Sequence, residues 1–122
     1  MDDLGPVEIN KADVIREGWL MKQSRFLRDW RRRWVVLTPE YLLSFRSPSS
    51  DYSAKHVTEF LKLNECSTVK SMEDATGCKF RVDSRGRTFV LIADNSQDKE
   101  TWIGYVGKTM VKPSMRNYDD VF

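Results

Sequence analysis

The sequence predicts a mainly β domain with one C-terminal α-helix. Seven short stretches of strand-like composition recur between residues 19 and 92, each bounded by turn residues. One later stretch instead places its apolar residues at helical spacing. Seven short antiparallel strands make a small barrel or sandwich, and 122 residues suit one such domain, since single domains commonly run about 100–150.

Trp19–Lys22 reads as the first strand and Gln23–Asp29 as a polar, basic connection. Trp30–Leu37 is the second strand, ended by Thr38-Pro39-Glu40, and Tyr41–Arg46 is the third. Links this short make an antiparallel meander. Ser47–His56 holds Pro48 and four serines and reads as a loop. Strands follow at Thr58–Leu63, Ser67–Lys70, Lys79–Val82 and Thr88–Ile92, with Asp83–Arg87 as a hairpin turn in which Gly86 can take a positive φ. Asn95 is placed to cap a helix, and Trp102, Ile103, Val106 and Met110 form its apolar stripe. A helix this short must bury that stripe on the sheet or cap an open barrel end. Gly107 and Pro113 predict its end, and Met115–Phe122 reads as a loose acidic tail. The expected organisation is an N-terminal extension over residues 1–17, a domain over 18–110 and a tail over 111–122.

Several function classes are excluded. No stretch approaches the roughly 18 apolar residues of a membrane span. The acidic start MDDLGPVEIN suits neither a secretory signal nor N-myristoylation. Cys66 and Cys78 lack metal-ligand spacing, and His56 is the only histidine, so no metal and no cofactor is expected; the cysteines read as free thiols of a reducing, cytoplasmic setting. A lone histidine in a polar loop offers no nucleophile–base pair, and no carboxylates are paired for acid–base work. Gly107-Lys108-Thr109 lacks the earlier glycine of a phosphate loop and lies at a helix end rather than a helix start. No catalytic residue is predicted, and an enzyme is not expected.

Charge is segregated. Residues 22–33 hold Lys22, Arg25, Arg28, Arg31, Arg32 and Arg33 against Asp29, a net +5, while the chain is +2. Alternation along a strand points Arg31 and Arg33 the same way as the core residues Val35 and Leu37, and Lys22 the same way as Leu20. Three cations therefore converge at one end of two paired strands, where they need an anionic partner. Arginine forks and a lysine point charge suit phosphate. Between Arg25 and Arg28 sits Phe26-Leu27, an apolar loop tip ringed by cations, which suits an anionic bilayer surface.

The run GWLMKQSRFLRDWRRRWVVLTPEYLLSF, residues 18–45, resembles the first three strands of a pleckstrin homology (PH) domain. The family's Gly-Trp/Tyr-Leu-x-Lys opening matches Gly18–Lys22, its second-strand pattern of Trp, basic residues and Trp matches Trp30–Leu37, and its helix tryptophan matches Trp102. The resemblance covers Gly18–Thr109 and implies a seven-stranded, bent antiparallel barrel capped by the helix. The basic signature of its phosphoinositide-binding members falls on Lys22, Arg31 and Arg33, with Arg25, Arg28, Arg32, Arg46 and Lys55 as secondary cations and Phe26 and Leu27 as membrane-inserting residues. The implied partners are phosphoinositides and other anionic membrane lipids, at membranes to which a cytoplasmic protein is peripherally recruited. A protein partner on the same scaffold is the alternative. Nucleic acid is disfavoured, although Trp30–Trp34 interleaves cations with rings.

Overall fold

A computed structural model of the chain describes residues 9–49 and 52–120, with side chains as far as Val111. Strands β1 (Arg16–Gln23), β2 (Trp30–Leu37), β3 (Tyr41–Phe45), β4 (Val57–Lys62), β5 (Cys66–Ser71), β6 (Lys79–Ser84) and β7 (Arg87–Ile92) precede one helix, α1 (Ser96–Asp120). All pairings are antiparallel, in the order β4-β3-β2-β1-β7-β6-β5. β1 pairs with β2 along its whole length but meets β7 only at Met21 and Lys22. The sheet can therefore bend sharply at β1, with three strands on either side.

The run Trp34-Val35-Val36-Leu37 is apolar on both faces because both faces are covered. On the inner face, Leu20, Val35, Leu37, Leu42, Leu61, Phe80, Phe89 and Leu91 form the barrel core, which Trp102 and Val106 of α1 close. On the outer face, Val36, Leu43, Phe45, Tyr52 and Phe60 form a second cluster, against which Ile9 and Val14 pack. Residues 9–15 are thus docked on the sheet: Asn10 caps a short 3-10 turn at Lys11–Asp13, and the Ile15 amide donates to the Leu37 carbonyl at 2.8 Å.

The helix begins as predicted, with Asn95 Oδ1 accepting the Asp98 amide at 2.8 Å. It does not end where the sequence predicts. It runs through Gly107 and Pro113 to Asp120, where a loose tail is expected; proline removes one N–H from the ladder without forbidding helix on either side. Residues 121 and 122 of that tail lie outside the described residues. No helix among the described residues is long and apolar enough to cross a membrane. Cys66 and Cys78 are half-buried free thiols, and burial, helped by Glu65 and Asp83, pushes Cys66 up to about 11.

Asp83 ties the far half of the sheet together. Its carboxylate accepts from Arg81 Nη2 at 2.6 Å, Thr68 Oγ1 at 2.5 Å and Thr88 Oγ1 at 2.9 Å, so three strands meet on one side chain. The Arg81 hydrogen bond does most to hold this carboxyl down to about 2. A lowered folded pKa stabilises above the unfolded value, and that stability is lost as pH falls through the folded one. Asp83→Asn should cost about 1–2 kcal/mol at pH 7. In thermal melts the gap from the parent should close between about pH 4 and 2. An unchanged gap at pH 2 would contradict the assignment.

Candidate functional site

The β1–β2 ladder brings the predicted cations together by register. Leu20 pairs with Arg33 and Lys22 with Arg31, all on the inner face. Along β2 that face changes from exposed Arg31 through half-buried Arg33 to fully buried Val35 and Leu37. The barrel core therefore opens into a cationic mouth. Beneath it lies Lys22, only 3% exposed, with its Nζ 4.3 Å above the centre of the Phe89 ring.

The mouth is a pocket of about 840 Å³. Lys22, Arg31 and Arg33 line one side, Arg46, Lys55 and His56 come from the β3–β4 connection, and Glu59 is the acid among the lining residues. A β-bulge delivers the connection: Ser44 faces Glu59 and Phe45 faces Val57, leaving Thr58 unpaired in the ladder. The Thr58 hydroxyl donates instead to Ser44 Oγ at 2.9 Å. The connection is also pinned on the outer face, where the Tyr52 hydroxyl donates to Glu17 and accepts from Trp34 Nε1 at 2.8 Å. Burial first, and then the bond to Glu17, push the Tyr52 phenol up to about 12, so it remains a donor at any physiological pH.

Two of the three central cations lack a firm internal counter-ion. Burial lowers Arg33 from its ordinary value, and Arg31 and Arg46 lower it further by repulsion. Among the described residues no carboxylate lies within ion-pair distance of Arg33, Arg46 or Lys55, and Arg31 reaches exposed Asp29 only at 3.9 Å. Lys22 differs, because its ammonium donates to Glu59 Oε1. Burial pulls Lys22 below the usual lysine value, and the Glu59 carboxylate opposes the drop. The guanidinium forks at one end of this pocket suit an anion with several oxygens, whereas the lysine at the other end is already paired with Glu59.

The β1–β2 connection stands beside the mouth on a closed base. The Ser24 amide donates to the Asp29 carbonyl at 2.7 Å, and the Asp29 amide donates to Ser24 Oγ at 3.1 Å. Arg28 takes φ 57°, a left-handed conformation that turns the chain back towards β2. At the tip Phe26 is 82% and Leu27 69% exposed, with the Arg25 guanidinium 5.0 Å from the Phe26 ring centre. Arg25, Arg28 and Arg32 do not line the pocket. Arg32 points to the opposite face and lies 4.6 Å over the Trp19 ring, as its alternation with Arg31 and Arg33 requires.

Sequence reasoning missed Glu59 and Tyr52. Glu59 was within reach of the same alternation argument, because it shares a face with buried Leu61 just as Arg33 does with Val35. Tyr52 carries no comparable signal, since it sits in a serine-rich connection without periodicity.

Seven antiparallel strands bent into a barrel, one capping helix and a cationic mouth define a small barrel module with a basic opening at one end. The sequence model of the PH domain matches residues 14–110. The Arabidopsis thaliana pleckstrin homology domain-containing protein 1 is 35% identical over 102 residues, covering 81% of this chain and 70% of that protein. Mouse switch-associated protein 70 is 30% identical over 100 residues, 80% of this chain but 16% of that protein. Among solved structures, the Slm1 PH domain in complex with inositol-4-phosphate is similar, with a TM-score of 0.65 and 26% identity over 77% of this chain and 93% of that one. The chain belongs to the PH domain family.

Proposed function

We propose that the chain is a non-enzymatic membrane-targeting module that binds phosphoinositide headgroups at the open barrel end. Arg31 and Arg33 hold the headgroup phosphates with help from Arg46 and Lys55, Lys22 adds its charge to the extent that its Glu59 partner yields it, and Phe26 and Leu27 enter the bilayer. The observation that carries this reading is the cluster of Arg33, Arg46 and Lys55 around one pocket without a carboxylate partner among the described residues. Clustered cations that repel one another gain most from an anion with several oxygens. The Slm1 PH domain, solved with inositol-4-phosphate, supports the ligand class. Arg25, Arg28 and Arg32 ring the same end and steer the molecule to a negative leaflet, each worth about 1 kcal/mol near the surface. The outcome is peripheral recruitment from the cytoplasm.

The test is flotation with vesicles carrying each phosphoinositide in turn, and with phosphatidylserine or phosphatidic acid at matched total charge. Preference for an inositol lipid is the expected result. Equal binding to every anionic vesicle would reduce the cluster to a surface patch, and absence of binding would favour a protein partner instead.

A further inference from the structure

We infer that Glu59 acts as an internal counter-anion that occupies Lys22 and restricts the pocket to headgroups carrying few phosphates. The inference rests on the headgroup reading and adds what selects among headgroups.

Glu59 lies in a cross-strand row on the inner face, opposite Ser44, which in turn faces Val35. Its carboxylate therefore points into the mouth and lines the pocket alongside the cations. It contacts the Lys22 ammonium directly and is close enough to act on Arg33 as well. With its side chain 24% exposed against 4% for Lys22, it is the member of the pair more open to solvent and to anything entering the pocket. A headgroup phosphate that approaches Lys22 meets a carboxylate already using that charge. A phosphate seated over Arg33, Arg46 and Lys55 does not.

The penalty grows with the number of phosphates, because repulsion from the Glu59 carboxylate scales with the charge of the anion that enters the pocket. A single phosphate can draw on Arg33, Arg46 and Lys55 without needing the Lys22 charge. A trisphosphate can use Lys22 only by displacing Glu59 or by accepting two anions around one ammonium, and at pocket dielectric such repulsion is substantial. Glu59 thus flattens the usual rise of affinity with phosphate number.

Glu59→Gln keeps the shape, and its amide oxygen can still accept from Lys22. Titration with soluble inositol mono-, bis- and trisphosphates should show the trisphosphate gaining about tenfold or more and the monophosphate less than about threefold. Adding Lys22→Met to Glu59→Gln should return the trisphosphate towards its parental affinity, because the gain comes from a released ammonium. Glu59→Ser, which removes the charge and shortens the side chain, should move the ratio in the same direction, and melting curves check that each variant folds. A structural role alone would alter melting without changing the ratio of affinities. An equal gain for all three ligands, or none, overturns the inference while leaving the headgroup reading intact. A parent protein that binds none of them, and is indifferent to Arg33→Ala, takes both down.

Discussion

Arg33→Ala is expected to weaken phosphoinositide binding by about a hundredfold while leaving the barrel folded. Arg33 sits centrally in the mouth, across from Leu20 and flanked by Arg31 and Arg46, and its own intramolecular bond is one long contact from Nη1 to the Arg32 carbonyl at 3.3 Å. Its fork is therefore available to a ligand, and two charge-assisted hydrogen bonds in a half-buried setting account for a loss of about 3 kcal/mol. Stability should hardly change, because the substitution also relieves repulsion with Arg31 and Arg46. Headgroup titration calorimetry together with a thermal melt makes the measurement. A folded variant with unchanged affinity would remove Arg33, and with it the pocket, from the binding account.

Substituting both tip residues, Phe26→Ser with Leu27→Ser, should separate the two halves of the proposed mechanism. Both side chains stand clear of the barrel, at 82% and 69% exposure, so the native state gains little from them in water. Burying such side chains in a bilayer yields roughly 1.5–3 kcal/mol each when complete. Partial immersion at the interface leaves an expected loss of about 30- to 100-fold in vesicle affinity. Affinity for a soluble headgroup should remain within about twofold, because neither Phe26 nor Leu27 is among the residues that line the pocket. If vesicle and headgroup affinities fell together, the tip would belong to the pocket rather than to the membrane contact.

Much of the fold is legible in the sequence because its signals are local. Period-two alternation and the turn residues place all seven strands within a few residues of their observed ends, and Asn95 caps the helix where predicted. The convergence of Lys22, Arg31 and Arg33 is legible for the same reason, since alternation assigns each side chain a face before any partner is known. The length of the helix was not legible, because Gly107 and Pro113 are end signals that a continuing backbone can override.

By itself, then, the sequence determined the strand count, the position of the cationic end and the exposed apolar tip, each set by neighbours along the chain. Only the tertiary structure decided which cations share one pocket. Arg46 and Lys55 join it while Arg32 turns to Trp19, because the β4 bulge and the Tyr52 anchor direct the β3–β4 connection to the mouth. It alone brought Glu59 to Lys22 across 37 positions of chain. A buried ammonium draws the nearest carboxylate the fold can supply, and which one is nearest depends on sheet order and register, which no local pattern encodes.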